Sequence, residues 1–156
     1  MACCDDKEAV STDLVSIVLP VFNTANYLSA CIESLLCQTY PNIEIVIVDD
    51  GSNDGSSDIC DRYSNNYDNI SVYHIENHGL SYARNLGVSA SKGSYITFID
   101  SDDAVPAYYI DYLMKGLASG SANLSCVQLK EIENQSAISS FPCELDLPAF
   151  EIVDTK

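Results

Sequence analysis

IVIVDDGSNDGS (Ile45–Ser56) and YITFIDSDD (Tyr95–Asp103) repeat one pattern: a short apolar run that breaks into carboxylates. Each reads as a buried strand whose C-terminal end delivers acidic side chains to a surface crevice. In open α/β sheets, ligands bind at that edge. Two acidic edges in one chain predict a divalent cation acting with a phosphorylated ligand, and hence nucleotide-dependent chemistry.

Working outward, Ile43–Val48 is nearly uninterrupted and rich in β-branched residues, as expected for a strand buried on both faces. Upstream, Leu14–Leu19 reads as a strand stopped by Pro20. Asn23 or Thr24 is available to cap the helix that follows. Leu28, Cys31, Ile32, Leu35 and Leu36 recur at the spacing of a helix packed on a sheet, and Gln38–Pro41 closes it. Downstream, a helix is expected through Ile59, Cys60 and Tyr63, then a strand over Ile70–Ile75. Asn77–Gly79 reads as a turn, Leu80–Ala90 as a helix and Tyr95–Ile99 as the fourth strand. Pro106 opens a helix to about Leu117, and Leu124–Leu129 is a candidate fifth strand. This alternation predicts an α/β fold with a Rossmann-like, mainly parallel sheet flanked by helices.

The 156 residues suffice for one domain with a core. Three segments are expected: a disordered 1–13, a folded domain over 14–130, and an irregular tail over 131–156. The net charge of −16 argues against nucleic acid or an anionic membrane surface as partner, since both need a basic face. Seven scattered cysteines without a CxxC pair fit a reduced, cytoplasmic protein better than a disulfide framework or zinc site. Cys31, on the apolar helical stripe, reads as packing. No signal peptide and no transmembrane segment are expected; a cytoplasmic location, free or peripheral to the inner membrane face, follows.

Asp50, Ser52, Asp54, Gly55, Asp58 and Asp61 nearly spell a calcium-binding EF-hand loop, but such a loop follows a helix and here follows a strand. A solvated turn with helix-capping carboxylates competes with a nucleotide-contacting loop at this segment. At the second edge, extended backbone puts Asp100 and Asp102 on one side, where they can converge on Mg²⁺ or Mn²⁺, while Asp103 points elsewhere. Three carboxylates in four residues raise one another's pKa unless a positive charge relieves them. An aspartyl-phosphate phosphatase would place Asp-x-Asp near the first strand, and a dinucleotide fold would need glycines after it, where this chain has PVFN. Arg84 either pairs with an exposed carboxylate or reaches the acidic edge; His74 and His78 read as strand and turn residues.

Four segments in order, SIVLPVFN (Ser16–Asn23), QTYPNIEIVIVDDGSNDGS (Gln38–Ser56), NHGLSYARNLG (Asn77–Gly87) and KGSYITFIDSDD (Lys92–Asp103), resemble a family 2 glycosyltransferase of the GT-A fold. The resemblance implies that Pro20, Val21 and Phe22 line a base pocket and that Asp49 or, preferentially, Asp50 contacts uracil or ribose. It also implies that Arg84, Asp100 and Ser101 belong to the substrate site and that Asp102, with Asp100, holds Mn²⁺ or Mg²⁺. The implied activity is metal-dependent transfer of a sugar from a nucleotide-sugar donor, UDP-linked by preference, to a carbohydrate or lipid-linked acceptor with inversion, in glycan or polysaccharide assembly. The acceptor half of such enzymes has no match beyond Glu131, so no general base is assigned and the chain reads as a truncated donor-binding portion. A truncated sheet is expected to leave an open edge after Leu129, a route to self-association. The rival readings are a non-catalytic nucleotide-binding or interaction module and a metal-dependent phosphotransferase using Asp100.

Overall fold

A computed structural model describes residues 13–118. Its strands are β1 (Val15–Val21), β2 (Ile43–Asp49), β3 (Ile70–His74) and β4 (Tyr95–Phe98), all parallel, in the order β3-β2-β1-β4. The seven residues of β1 are buried because the strand is interior and covered on both faces. Ile17, Leu19, Val21, Ile45 and Ile47 point to one face. There they meet α1 (Ala25–Leu36), α2 (Ser56–Asn66) and α4 (Tyr109–Ala118) through Leu28, Ile32, Leu35, Cys60, Tyr63, Ile110 and Met114. The alternate residues face α3 (Leu80–Ala90), whose buried residues are the small Ala83 and Gly87. A Cβ added to Gly87 would lie 2.3 Å from Cγ1 of Val18, so the close approach of α3 to the sheet depends on glycine. Helices fall on both faces because the chain winds from β1 out to β3 and then crosses back to β4.

Pro20 does not stop the first strand; β1 continues to Val21, with Pro20 in register with Val48. The reason lies in the ladder. Val21 accepts from the Asp50 N–H on the β2 side, and Val18 accepts from the Ile99 N–H on the β4 side. Pro20 therefore aims its nitrogen toward β4, whose pairing ends at Val18, and no ladder bond is lost. The last helix also starts later than expected: Pro106 accepts from the Tyr109 N–H in a turn that precedes α4. The expectations for residues 1–12, for a strand over Leu124–Leu129 and for the tail lie outside the described residues. So does an edge after Leu129. Among the described residues β4 pairs with β1 alone, and Tyr95, Ile96 and Phe98 on it are exposed. No described helix is long and apolar enough to cross a membrane.

Candidate functional site

Strand order reverses between β1 and β4, and β1 runs on to Val21 after its pairing with β4 ends. A crevice opens at that switch point, beyond the carboxyl ends of the strands. It holds a pocket of about 240 Å³. Pro20, Val21 and Phe22 form one wall, Asp50 and Asn77 the base, and Gly79, Leu80 and Ala83 at the start of α3 the other wall. The lining is apolar apart from Asp50 and Asn77. Asn77, Gly79, Leu80 and Ala83 fall in a segment that carried the family resemblance, but no site role was read for them; the segment's place after a strand was the available hint that it borders the site.

Asp49 and Asp50 are adjacent in sequence and part company in space. Asp50 lies on the α3 side, where its two carboxylate oxygens accept from the His78 N–H at 2.7 Å and the Gly79 N–H at 2.8 Å. It is 3% exposed, sits before the N-terminus of α3, and keeps lone pairs for a donor in the pocket. Asp49 is just as buried but turns to the α2 side, away from the pocket. It accepts from the Ser52 N–H, the Ser57 hydroxyl and the His74 ring. Burial pushes the Asp49 carboxyl up, but the bonds from Ser52, Ser57 and His74 outweigh it and hold the group below its usual range.

The rest of the acidic loop is scaffold. Thr24 precedes α1 but makes no side-chain cap, so neither residue expected to cap α1 does so. The cap comes from the neighbouring loop instead: Asp54 accepts from the Ala25 N–H at 2.9 Å and from the Ser56 N–H and hydroxyl. The Ser56 hydroxyl, first among its contacts, together with those N–H groups lowers the Asp54 pKa. Ser52 accepts from the Asn23 N–H, Asn23 Oδ1 from the Asn53 N–H, and Ser56 from the Thr24 N–H. The loops after β1 and β2 are thus one hydrogen-bonded unit that carries Phe22 and Asp50 together. Gly51 within it adopts φ 75°, and a Cβ there would come within 2.9 Å of the Asn77 nitrogen.

At the end of β4 the side chains alternate. Asp100 and Asp102 are exposed, whereas Ser101 is buried and accepts from the Thr24 hydroxyl at 2.9 Å. Ser101 therefore ties this loop to the start of α1 and does not face the pocket lining. Arg84 satisfies both of its expected roles, since its partner is Asp100 at 2.6 Å on the acidic edge itself. Its guanidinium also lies over the Phe98 ring. Asp103 is left without such relief: burial first, then Asp102 and Asp100, raise its pKa. Cys31 is buried beneath the loop, its thiol 3.7 Å from the Asp100 carbonyl oxygen; burial and the three carboxylates push it far above a reactive range. No cluster of three or more potential metal ligands forms among the described residues. Two exposed carboxylates are the donor set that Mg²⁺ or Mn²⁺ takes when phosphate oxygens and water complete its shell.

The family model for glycosyl transferase family 2 matches residues 16–140. The chain is 44% identical over 114 residues to glycosyltransferase GlyG of Streptococcus pneumoniae serotype 4, covering 72% of this chain and 38% of that protein. Among solved structures, S. aureus TarS 1–349 in complex with UDP superposes with a TM-score of 0.58 at 30% identity, covering 62% of this chain and 30% of that one. Mannosyltransferase PcManGT from Pyrobaculum calidifontis, at 24% identity and a TM-score of 0.56 over 60% of this chain and 28% of its own, shares the fold. The fold is GT-A, present as a partial domain, and the chain spans well under half the length of these proteins.

Proposed function

The chain belongs to glycosyl transferase family 2, and from that premise we propose that its switch-point crevice is the donor site of an inverting, metal-dependent transferase using a UDP-sugar in polysaccharide assembly. The observation that carries the reading is a buried carboxylate, Asp50, at the base of an apolar pocket whose neighbour on α3, Arg84, reaches the second acidic edge. A largely apolar slot with a carboxylate acceptor suits a pyrimidine that offers a ring N–H. TarS, a relative over this same portion, binds UDP. Phe22, 47% exposed at the pocket wall, offers a ring face to the base.

Asp102, with Asp100, would hold the divalent cation. When bound, that cation neutralises the charge of the departing nucleotide diphosphate. Arg84 holds Asp100 in place from α3 and offsets its charge in an acidic neighbourhood. Ser101, through Thr24, keeps the metal-binding loop in register with the loop that carries Phe22. The acceptor, carbohydrate or lipid-linked, and the base that deprotonates its hydroxyl are assigned to no described residue.

Calorimetric titration with UDP tests the site. Wild type is expected to bind UDP roughly tenfold more tightly with Mn²⁺ than without, and Asp102→Ala to lose that difference while keeping metal-free binding. Equal manganese dependence in both proteins would remove Asp102 from the metal site.

A further inference from the structure

His74 closes β3, and the parallel register sets it beside Asp49 on β2. In-register neighbours share a face, so ring and carboxylate meet. Nδ1 lies 2.8 Å from Asp49 Oδ2, and Nε2 lies 3.0 Å from Asp61 Oδ1 on α2. Carboxylates on both sides of one ring suit the imidazolium, which donates from both nitrogens. A neutral ring has one N–H and would turn a lone pair toward a carboxylate. The charged groups facing the ring are Asp61 from α2 and Asp49 from β2. Cys60 of α2 stays a neutral thiol: burial and the charges of Asp49 and Asp61 push it up to about 12.

We propose that His74 is a positioning residue for the nucleotide pocket: its imidazolium clamps Asp49, the anchor of the loop after β2, to α2 and so sets Asp50 against the ligand. The proposal rests on the donor-site reading above. The transmission is short. Asp49 fixes the Ser52 N–H and the Ser57 hydroxyl, and Asp50 is the next residue along from it. Ser52 in turn holds the Asn23 N–H, beside Phe22 on the opposite wall. The bond to Asp61, then that to Asp49, outweigh burial and raise the His74 pKa. A raised histidine pKa puts the clamp fully in place below the ordinary imidazole range and releases it as pH rises through the shifted value. UDP affinity should therefore fall with rising pH.

The test is UDP calorimetry on wild type, His74→Gln and Asp61→Asn between about pH 6 and pH 8.5, a window that spans imidazole titration. UDP's own phosphate titrates there too, so the difference between proteins is read. Wild-type affinity is expected to fall roughly fivefold relative to His74→Gln across this range, and the fall in Asp61→Asn to move to lower pH. Parallel curves for wild type and His74→Gln would overturn the proposal. Ring-nitrogen NMR of His74 checks the clamp without any ligand. Two N–H signals at about pH 6, below the ordinary imidazole range, and a Ser52 amide that titrates with the same midpoint, support it; a neutral single tautomer there overturns it. Failure of wild type to bind UDP at any pH, with that NMR signature intact, would strike the donor-site reading and the proposal's link to it, and leave the clamp standing.

Discussion

Asp50→Ala should weaken UDP binding by roughly a hundredfold, the equivalent of about 2.8 kcal/mol. Two losses add. The pocket gives up its one carboxylate acceptor, and the N–H groups of His78 and Gly79 lose the oxygens that hold them at the start of α3. Asp50→Asn separates the two contributions. It keeps one acceptor oxygen but turns an amide NH₂ toward a backbone N–H, so an intermediate loss is expected. Calorimetry with a parallel thermal melt distinguishes lost affinity from lost fold. Unchanged UDP affinity in a folded Asp50→Ala protein would take the carboxylate out of the donor site.

The largest effect on stability is expected at Gly87. A valine there would press into Val18, which is fully buried at the centre of the sheet, from a helix that cannot retreat without exposing β1 and β2. Overpacking of this kind costs about 3 kcal/mol, against a small gain in helix propensity, and should lower Tm by roughly 10 °C. The mechanism is checked by a cycle. Gly87→Ala and Val18→Ala should each destabilise, and their double mutant should be more stable than the sum of the two predicts, because the methyl of one fills the space vacated by the other. Additive losses would show that the contact between α3 and β1 is not what glycine secures.

The strands and helices over residues 13–118 were legible because both hydrophobic periods are clean here. Ile45–Val48 has no polar interruption, and Leu28, Cys31, Ile32 and Leu35 fall on one helical stripe. Pro20 was misread because proline's usual effect on a ladder depends on which neighbour its nitrogen faces, a fact of sheet order rather than of sequence. The acidic loop was legible as a site but not in its division of labour. Asp49 and Asp50 have opposite parity on one strand, so they had to face opposite sides of the sheet. What the sequence lacks is which side carries α3 and the pocket. Asp54 was open to a capping role, but the helix it caps besides its own is α1, whose first residue lies 29 positions away. His74 was read as a strand residue, correctly, and its partnership with Asp49 appears only once β3 is set in register against β2.

In the proposed donor site, one crevice would hold the base at Asp50 and the cation at Asp102. Amide NMR of the labelled protein titrated with UDP tests this most directly, first with Mg²⁺ and then with paramagnetic Mn²⁺. The predicted result is shifts confined to Phe22, Asp50, Asn77, Gly79, the loop carrying Asp100 and Asp102, and their neighbours, with manganese broadening centred on Asp102 and its loop. UDP shifts at any other surface, or broadening that leaves the end of β4 untouched, would contradict it.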